Sequence, residues 1–332
     1  MAWEDVKDIL RPQNVHMGKM AVDEEKCQGC GLCVVNCVTR AWEMDENDIP
    51  RLKEGYSCLS CYNCMVACPE EAISILEPYH VDDGFWKTLP HPIPAKPPLP
   101  PFDEEGNPAE YTAVERAILE RRSIRNYKEK PVPDTLIRRV VEAGRFAPSS
   151  GNCQPWKFIV ITDKAMIDEM DVVIAEAVAG MHNMYMDDEL VKGFEPMVAN
   201  EPTPPADPRM IIGGFGAIAR KEVLPSLGAT AVVMIAGDMR SIGGPILQVG
   251  ICGQNMSLAA NSMGIRSCWV GFYALLEMFP EIKKKLGLEP PWTIISSIVL
   301  GYPKFKQDGM VPREYRPVTW FRNGWEDPEI ET

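Results

Sequence analysis

Long apolar runs and histidine are both scarce in this chain of 332 residues. No apolar stretch approaches the roughly 18–20 residues needed to cross a bilayer, so membrane insertion is not expected. The first residues, MAWEDVKDILRPQ, carry acidic side chains where a secretory signal needs basic and then apolar ones. The chain has four histidines, and neither a histidine-rich metal centre nor a Ser–His–Asp set is apparent. These absences predict a cytoplasmic location.

Positive charge is scarce in the first third of the chain. Residues 1–110 hold 20 Asp and Glu against 9 Lys and Arg, whereas residues 111–332 hold 27 against 25. Such acidity repels phosphate backbones, so nucleic-acid binding is not expected. The negative charge either steers a positively charged redox partner or serves solubility alone.

Cysteine, by contrast, is abundant: there are eleven. A reducing cytosol keeps them as thiols rather than disulfides. Eight lie within residues 27–68 and form the pattern C-x2-C-x2-C-x3-C twice, with each cysteine 31 residues after its counterpart: Cys27, Cys30, Cys33 and Cys37, then Cys58, Cys61, Cys64 and Cys68. The segment is therefore an internal duplication.

This cysteine spacing suits iron–sulfur clusters. Three thiolates two residues apart can wrap one face of a cubane, whereas the fourth, three residues on, points to the other cluster. One [4Fe–4S] cluster is thus predicted on Cys27, Cys30, Cys33 and Cys68, and a second on Cys58, Cys61, Cys64 and Cys37. Two structural zinc sites are the alternative, since CxxC pairs also bind zinc.

Proline divides the chain. Nine prolines between positions 78 and 108 remove amide donors and disfavour both helix and interior strand. We predict a two-cluster domain over residues 1–78, a Pro-rich linker over 79–110 and a larger domain over 111–332. Residues 88–101 of the linker would extend over about 40 Å. The linker either holds the clusters near a second redox site or is a passive tether.

From residue 111 on, helical and extended patterns alternate. YTAVERAILERR, PDTLIRRVVEAGRFA and GGPILQVGICGQNMSLAANSMGI predict helices, and WKFIVIT, TAVVMIAG and IISSIVLG predict strands. Together they predict an α+β sandwich. The G-G-x-G sequence at 213–216 lacks the spacing of a dinucleotide motif and is predicted to be a hinge or turn.

Three polar segments of this domain suggest a bound anion and a ring system. RRSIR at 121–125 concentrates guanidinium groups that suit a phosphate, although a helix end also favours cations. APSSGNCQPW at 147–156 is a loop rich in donors and acceptors, or simply a capped turn. In GIRSCWVGF at 264–272 the glycines either let the backbone approach a ring closely or form an ordinary helix end.

In this order the three segments resemble the FMN-dependent nitroreductase family over residues 111–320. The cysteine repeat resembles bacterial two-cluster ferredoxins over residues 18–78. In those ferredoxins a proline usually follows the fourth cysteine of both halves. Here Val38 follows Cys37, so the turn after the first motif is expected to differ.

The nitroreductase resemblance implies a mostly antiparallel sheet flanked by helices, and an FMN at the interface of an intertwined homodimer. It implies that the phosphate and ribityl chain meet Arg121, Arg122, Ser123, Arg125 and Arg316. The isoalloxazine would lie along Pro148, Ser149, Ser150, Asn152 and Gln154, with its N5 near the backbone of Val270 and Gly271. No catalytic side chain is assigned.

The two resemblances together imply an oxidoreductase. Electrons from a low-potential donor, ferredoxin-like or NAD(P)H, would pass through the clusters to FMN and on to a nitroaromatic, a quinone, an activated C=C or a carbon–halogen bond. The Met-rich segment 178–228 would be the family's variable lid or ordinary core. His182 and Tyr185 would donate a proton or lie at the surface. The alternatives are an electron-transfer protein whose FMN relays to a partner protein, and a sensor or binding module with vestigial chemistry.

Overall fold

The computed structural model describes residues 3–88, 98–196, 207, 209–307, 309–313, 316–324 and 327–331. The chain forms a small cysteine-rich module and a larger α+β domain. Among the described helices, none combines the length and the apolarity that a bilayer span requires.

The cysteine-rich module is built from three two-stranded antiparallel ribbons and two short helices. The ribbons are β1 (Val15–His16) with β6 (His80–Val81), β2 (Lys19–Val22) with β5 (Ile73–Glu77), and β3 (Trp42–Met44) with β4 (Pro50–Leu52). The helices are α2 (Leu32–Val35) and α3 (Asn63–Ala67). Because β2 and β5 open and close the duplicated segment, their pairing joins the two halves around one small core, which includes Met20, Trp42 and Ile75.

The backbone carries the duplication seen in the sequence. Left-handed residues recur at matched positions of the two halves: Gly29 and Ser60, Gly31 and Tyr62, Arg40 and Glu71. Residues other than glycine rarely adopt positive φ, so their recurrence marks a shared loop geometry.

The turns after the two motifs are also alike. The amide of Arg40 lies 3.4 Å from the carbonyl of Cys37, and that of Glu71 lies 3.5 Å from the carbonyl of Cys68. The expectation that Val38 changes the first turn is therefore wrong, because proline fixes a φ that other residues can also adopt.

Helix α1 (Trp3–Leu10) packs away from the cysteines. Its Val6, Ile9 and Leu10 are buried in the same core as Ile174 and Tyr185 of the larger domain. The unit predicted over residues 1–78 thus contains a helix that packs with the other domain. The sequence shows that this helix has an apolar face but not what covers it.

The larger domain is built on one four-stranded antiparallel sheet in the order β7-β8-β10-β9. The strands are β7 (Trp156–Ile161), β8 (Ala231–Asp238), β9 (Arg266–Val270) and β10 (Trp292–Gly301). Side chains of β8 alternate between two cores: Val232 and Met234 face one, whereas Val233 and Ile235 face the other. Both faces of the sheet are therefore covered, which confirms the predicted α+β sandwich.

Helices cover the sheet on both faces. They are α4 (Ala113–Glu120), α5 (Asp134–Arg145), α6 (Lys164–Met186), α7 (Asp188–Lys192), α8 (Gly216–Ala219), α9 (Pro245–Ser262) and α10 (Pro280–Lys285). α5 and α9 share one core and α6 lies in the other. α4 begins at a capping box, in which Thr112 and Glu115 each satisfy the other's amide. A short exposed hairpin, β11 (Val318–Trp320) with β12 (Glu329–Glu331), lies near the C-terminus.

Three sequence expectations differ from the structure. Beyond the turn at Gly264, the segment expected as a helix end continues as β9. The expected turn at 213–216 is wrong, because a π-helix (Met210–Phe215) runs directly into α8. The boundary of the proposed lid at residue 178 falls inside α6, where Val178 is fully buried. Residues 197–206 and 208 of that segment lie outside the described residues.

Only part of the Pro-rich linker can be followed. Residues 89–97, which hold most of the segment expected to be extended, lie outside the described residues. Over 98–110 the described chain has no helix or strand, and a single bridge pairs Phe102 with Pro108. This agrees with the loss of amide donors at proline.

Candidate active site

Cysteines of the two motifs lie close to one another across the halves of the module. The pKa of Cys33 is raised to about 11, mainly by burial and in smaller part by the neighbouring Cys30 and Cys68. Burial likewise raises the pKa of Cys64 well above its ordinary value, with contributions from Cys61, Cys58 and Cys37. Cys68 thus lies near Cys33 of the first motif, and Cys37 lies near Cys58, Cys61 and Cys64 of the second.

The sulfur atoms are too far apart for the zinc alternative. Tetrahedral zinc with Zn–S bonds of about 2.3 Å holds its sulfurs about 3.8 Å from one another. In the described part of the chain, no three cysteine sulfurs lie within 4.8 Å of one another. The described sulfurs therefore do not show the close spacing of a tetrahedral zinc site.

Backbone amides donate to corresponding sulfurs in the two halves. The amide of Ala41 lies 3.2 Å from Cys37 Sγ, and the amide of Ala72 lies 3.3 Å from Cys68 Sγ. Hydrogen bonds to the sulfurs help to set cluster potentials. The sulfurs of Cys37 and Cys68, the fourth cysteines of the two motifs, are therefore oriented by equivalent backbone hydrogen bonds.

A buried amide beside Cys37 joins the module to the larger domain. The side-chain oxygen of Asn36 accepts from Asn126 Nδ2 at 2.8 Å and from Gln307 Nε2 at 2.6 Å. Its backbone carbonyl accepts from Asn63 Nδ2 at 3.0 Å. Since Asn36 is only 1% exposed, breaking these bonds would leave buried polar atoms unsatisfied. The two domains are thus joined directly beside a predicted cluster ligand.

A cleft of about 280 Å³ lies at this junction. Module residues that line it include Asn36, Cys37 and Arg40; the larger domain contributes Arg125, Asn126, Met210, Leu224, Trp269, Val270, Gly271 and Phe272. A predicted cluster ligand and three predicted flavin contacts therefore share one cavity. The sequence offered no signal for this proximity.

Three arginines gather beside the cleft. The pKa of Arg121 lies below its ordinary value, chiefly because of burial and then because of the nearby positive charges of Arg313 and Arg125. Arg125 in turn lowers the pKa of the half-buried Cys61 thiol and of the buried Cys268 thiol, against the larger effect of desolvation that raises both. Within the described residues no carboxylate forms an ion pair with these three arginines. Their uncompensated charge suits a bound anion such as a phosphate.

The remaining residues of the 121–125 segment have structural contacts. Arg122 is buried, and its Nη1 donates to the carbonyls of Leu119 and Arg121 at 2.9 and 3.0 Å. Ser123 forms a parallel bridge with Ser267 of β9. Arg122 therefore closes the end of α4, and Ser123 holds the segment along the edge of the sheet. Arg316 is exposed.

The predicted isoalloxazine loop lies elsewhere in the chain. Pro148 to Gln154 lead into β7, at the opposite edge of the sheet from β9. Three strand spacings, about 14 Å, separate the two edges. Within one chain the loop residues Pro148, Ser149, Ser150, Asn152 and Gln154 are thus not brought together with the arginines, Val270 and Gly271.

The loop is held by a residue that the sequence did not reveal. The side-chain oxygen of Gln248 on α9 accepts from the amide of Ser150 at 3.0 Å, and its Nε2 donates to the carbonyl of Ile242 at 2.7 Å. Gln248 is 3% exposed. A polar residue in the apolar run of a predicted buried helix is the one signal that could have marked it.

We predict that Gln248→Ala loosens this loop. The change leaves the amide of Ser150 and the carbonyl of Ile242 without their partner, which costs about 1–3 kcal/mol. Chemical unfolding should show that loss. Gln254→Ala, on an exposed position of the same helix, is the matched control. Equal stability of the two variants would contradict the assignment.

Of the remaining polar residues considered, Cys268 lines the cleft, whereas Tyr185, His182 and Cys153 do not. Tyr185 is 4% exposed and packs in the core, so it does not reach a substrate as a proton donor. His182 lies beside Gly216 of α8. Cys153 is exposed and lies 3.6 Å from Gln248 Oε1, whereas Cys268 is buried next to Arg125.

The fold and the cleft define a cysteine-rich α+β oxidoreductase, and comparison with known proteins agrees. The nitroreductase family model matches residues 118–302, more than half of the chain. A 4Fe-4S binding domain model matches residues 19–42. The chain therefore belongs to the nitroreductase family and carries a ferredoxin-like 4Fe-4S domain.

Individual relatives share the larger domain. The "Putative NADH dehydrogenase/NAD(P)H nitroreductase" of Archaeoglobus fulgidus is 27% identical over 197 residues, covering 58% of this chain and 87% of that protein. The chloronitrobenzene nitroreductase of Comamonas testosteroni is 22% identical over 207 residues, covering 57% and 86%. Among solved structures, a nitroreductase with bound FMN from Desulfitobacterium hafniense is 24% identical, covers 61% of this chain and 96% of its own, and superposes with a TM-score of 0.46.

Proposed function

We propose that the protein is an FMN-dependent oxidoreductase that passes electrons from a low-potential donor, through two [4Fe–4S] clusters, to FMN and then to a small organic acceptor. One observation carries this proposal. Cys37, a predicted cluster ligand, lines the same cleft as Arg125, Val270 and Gly271, the predicted flavin contacts. Since electron tunnelling weakens steeply with distance, this proximity is what such a circuit needs.

Two clusters, rather than one, are supported by the symmetry of the module. The matched left-handed residues and the matched amide bonds to Cys37 and Cys68 give both halves the same ligand-holding geometry. The family match at residues 19–42 covers only the first motif. The second motif has the same local structure, so we assign it a cluster of its own.

The arginines and the end of β9 fit an FMN. Arg121, Arg125 and Arg313 would hold its phosphate, since each offers donors and none has a carboxylate partner among the described residues. At Gly271 a side chain would meet nothing within 4 Å, which leaves the backbone open to a ring. When bound, FMN supplies hydride or single-electron transfer; the chain's part is to orient it and to adjust its potential.

A homodimer would complete the site. The loop from Pro148 to Gln154 is surrounded by exposed apolar side chains: Phe146, Ile242, Ile246 and Leu247 are 62–72% exposed. Such a patch suits contact with a second copy of the chain. The loop of the partner chain would then face the arginines of the first chain. The first chain's own loop is separated from those arginines by the width of the sheet.

The cleft walls suit a flat, weakly polar acceptor. Trp269, Phe272, Met210 and Leu224 provide apolar surface, and the aromatic rings can stack on planar groups. We therefore propose nitroaromatics, quinones, activated C=C bonds or carbon–halogen bonds as acceptors. Ferredoxin-like proteins or NAD(P)H would be the donor, and the cytoplasm the location.

The charge of the chain favours one alternative function, an electron-transfer protein whose FMN relays to a partner protein. The first 110 residues carry a net charge of −11, which would attract a basic protein at long range. In that case no small molecule would be turned over.

Steady-state turnover separates the two functions. The protein, purified without oxygen and containing about eight iron atoms and one FMN per chain, is supplied with reduced ferredoxin or with NAD(P)H and tested on one acceptor of each class. We expect at least one class to be reduced catalytically. If no class is reduced while an added protein acceptor oxidises the flavin, the relay function holds and our proposal fails.

A further inference from the structure

Two histidines face each other on the ribbon formed by β1 and β6. His16 and His80 are directly opposite in this antiparallel pair, so their side chains project from the same face. Their rings stack with centroids 4.4 Å apart and an interplanar angle of 3°. This ribbon lies outside the cysteine groups and outside the cleft, and β6 is the last strand before the Pro-rich linker.

Both imidazoles point toward carboxylates. His16 Nε2 lies 2.8 Å from Asp82 Oδ2, and His80 Nε2 lies 3.5 Å from Asp82 Oδ1 and 3.7 Å from Glu77 Oε1. One ligand atom from each of His16, Glu77 and His80 lies within 4.8 Å of the other two. Nitrogens of both histidines and a Glu77 oxygen therefore lie close together, and an Asp82 oxygen lies 2.8 Å from His16 Nε2.

The contact made by His80 Nδ1 indicates what can bind between His80 Nε2 and the carboxylates. His80 Nδ1 lies 3.1 Å from the carbonyl of Pro78. Because a carbonyl only accepts, Nδ1 must carry the hydrogen, and Nε2 of the neutral ring turns its lone pair toward Asp82 and Glu77. Lone pair and carboxylate repel unless a proton or a metal ion lies between them. A backbone carbonyl that fixes the outer nitrogen is also the usual support of a metal-binding histidine.

We propose that His16, His80 and Glu77, with Asp82 as a further oxygen ligand, bind a divalent transition-metal ion. Imidazole nitrogens with carboxylate oxygens suit zinc, nickel or cobalt. To bind one ion, the two rings would tilt from the parallel stack seen here. The ligands come from β1 and from the segment around β6. The ion would therefore connect the start of the module to the segment just before the Pro-rich linker.

Nickel binding tests the site. Ni²⁺ is titrated calorimetrically into the full chain with its clusters loaded and oxygen excluded. We expect one saturable site per chain. His16→Ala, His80→Ala and Glu77→Gln should each weaken binding by at least about tenfold, and these half-exposed positions leave the fold intact, as the cluster absorption would verify. Asp83→Asn, which removes a nearby carboxylate bonded to Asn14, is the matched control and should bind as the unaltered chain does.

Two results would overturn the proposal. One is the absence of saturable binding, which would mean that a proton alone bridges His80 and the carboxylates. The other is binding that persists in both histidine variants, since the nickel would then be held elsewhere. Iron content measured before and after the titration identifies nickel that has displaced cluster iron, a result that also counts against the site.

Discussion

Cys37→Ala is expected to remove one of two clusters and to disconnect the donor from the cleft. Iron should fall from about eight atoms per chain to about four, because each [4Fe–4S] cluster needs four thiolates. Loss of an outer-shell partner of a metal ligand already lowers activity about 10–100-fold. Donor-driven reduction of a small acceptor should fall by at least that factor, because here a ligand itself is lost. Iron analysis and electron paramagnetic resonance of the reduced protein measure the first effect, and steady-state kinetics the second.

The crossed ligation makes this prediction specific. Cys37→Ala and Cys58→Ala should lose the same resonance, although the residues belong to different motifs. Cys68→Ala and Cys27→Ala should both lose the resonance of the other cluster. Cys153→Ala, an exposed cysteine outside the repeat, is the control and should keep both. If Cys37→Ala and Cys27→Ala lost the same signal, each motif would hold its own cluster and the assignment would be wrong.

Arg125→Ala should have the second largest effect, on flavin binding. A hydrogen bond from a charged group contributes about 1.5–3 kcal/mol, so the dissociation constant of FMN should rise about 10–100-fold. Arg125→Lys should recover only part of the loss, because an ammonium group cannot make the forked contact of a guanidinium. Fluorescence titration of FMN into the flavin-depleted protein measures both variants.

A matched control separates phosphate binding from general loss of positive charge. Arg138 is an exposed arginine of α5, and Arg138→Ala should bind FMN as the unaltered protein does. An unchanged dissociation constant in Arg125→Ala would remove Arg125 from the site. Equal weakening in Arg125→Ala and Arg138→Ala would mean that only long-range charge matters.

Local rules account for what the sequence predicted correctly. The cysteine spacing, the 31-residue repeat and the helix and strand patterns all depend on neighbouring residues, so they can be read directly along the chain. Strand β8 is one example: its run of Val, Met, Ile and Ala predicts a strand. The α+β class followed from such elements.

Contacts between distant segments could not be predicted in this way. Nothing near Gly213 in sequence indicates that a Cβ there would lie 2.8 Å from Leu59 and 2.9 Å from Thr39 of the module. The same holds for Asn36, whose bonds to Asn126 and Gln307 fix the cleft. These interactions form only once the two domains dock.

The flavin site illustrates the same limit within one domain. The segments at 121–125, 147–156 and 264–272 suggest a single pocket, yet the strand order places the loop before β7 and the end of β9 at opposite edges of the sheet. Strand order depends on the whole chain, and in the proposed homodimer a second chain would bring the segments together. The exposed side chains of Ile246 and Leu247 agree with that proposal.

The central claim is that thiolate clusters and flavin form one electron path through the Cys37 cleft. The most direct measurement is to photoreduce the iron centres of the oxygen-free protein and to follow the flavin absorbance in the unaltered chain and in Cys37→Ala. The flavin should bleach after the iron centres in the unaltered chain and far more slowly in the variant. Reduced iron centres beside a flavin that stays oxidised, or equal bleaching in both proteins, would contradict it.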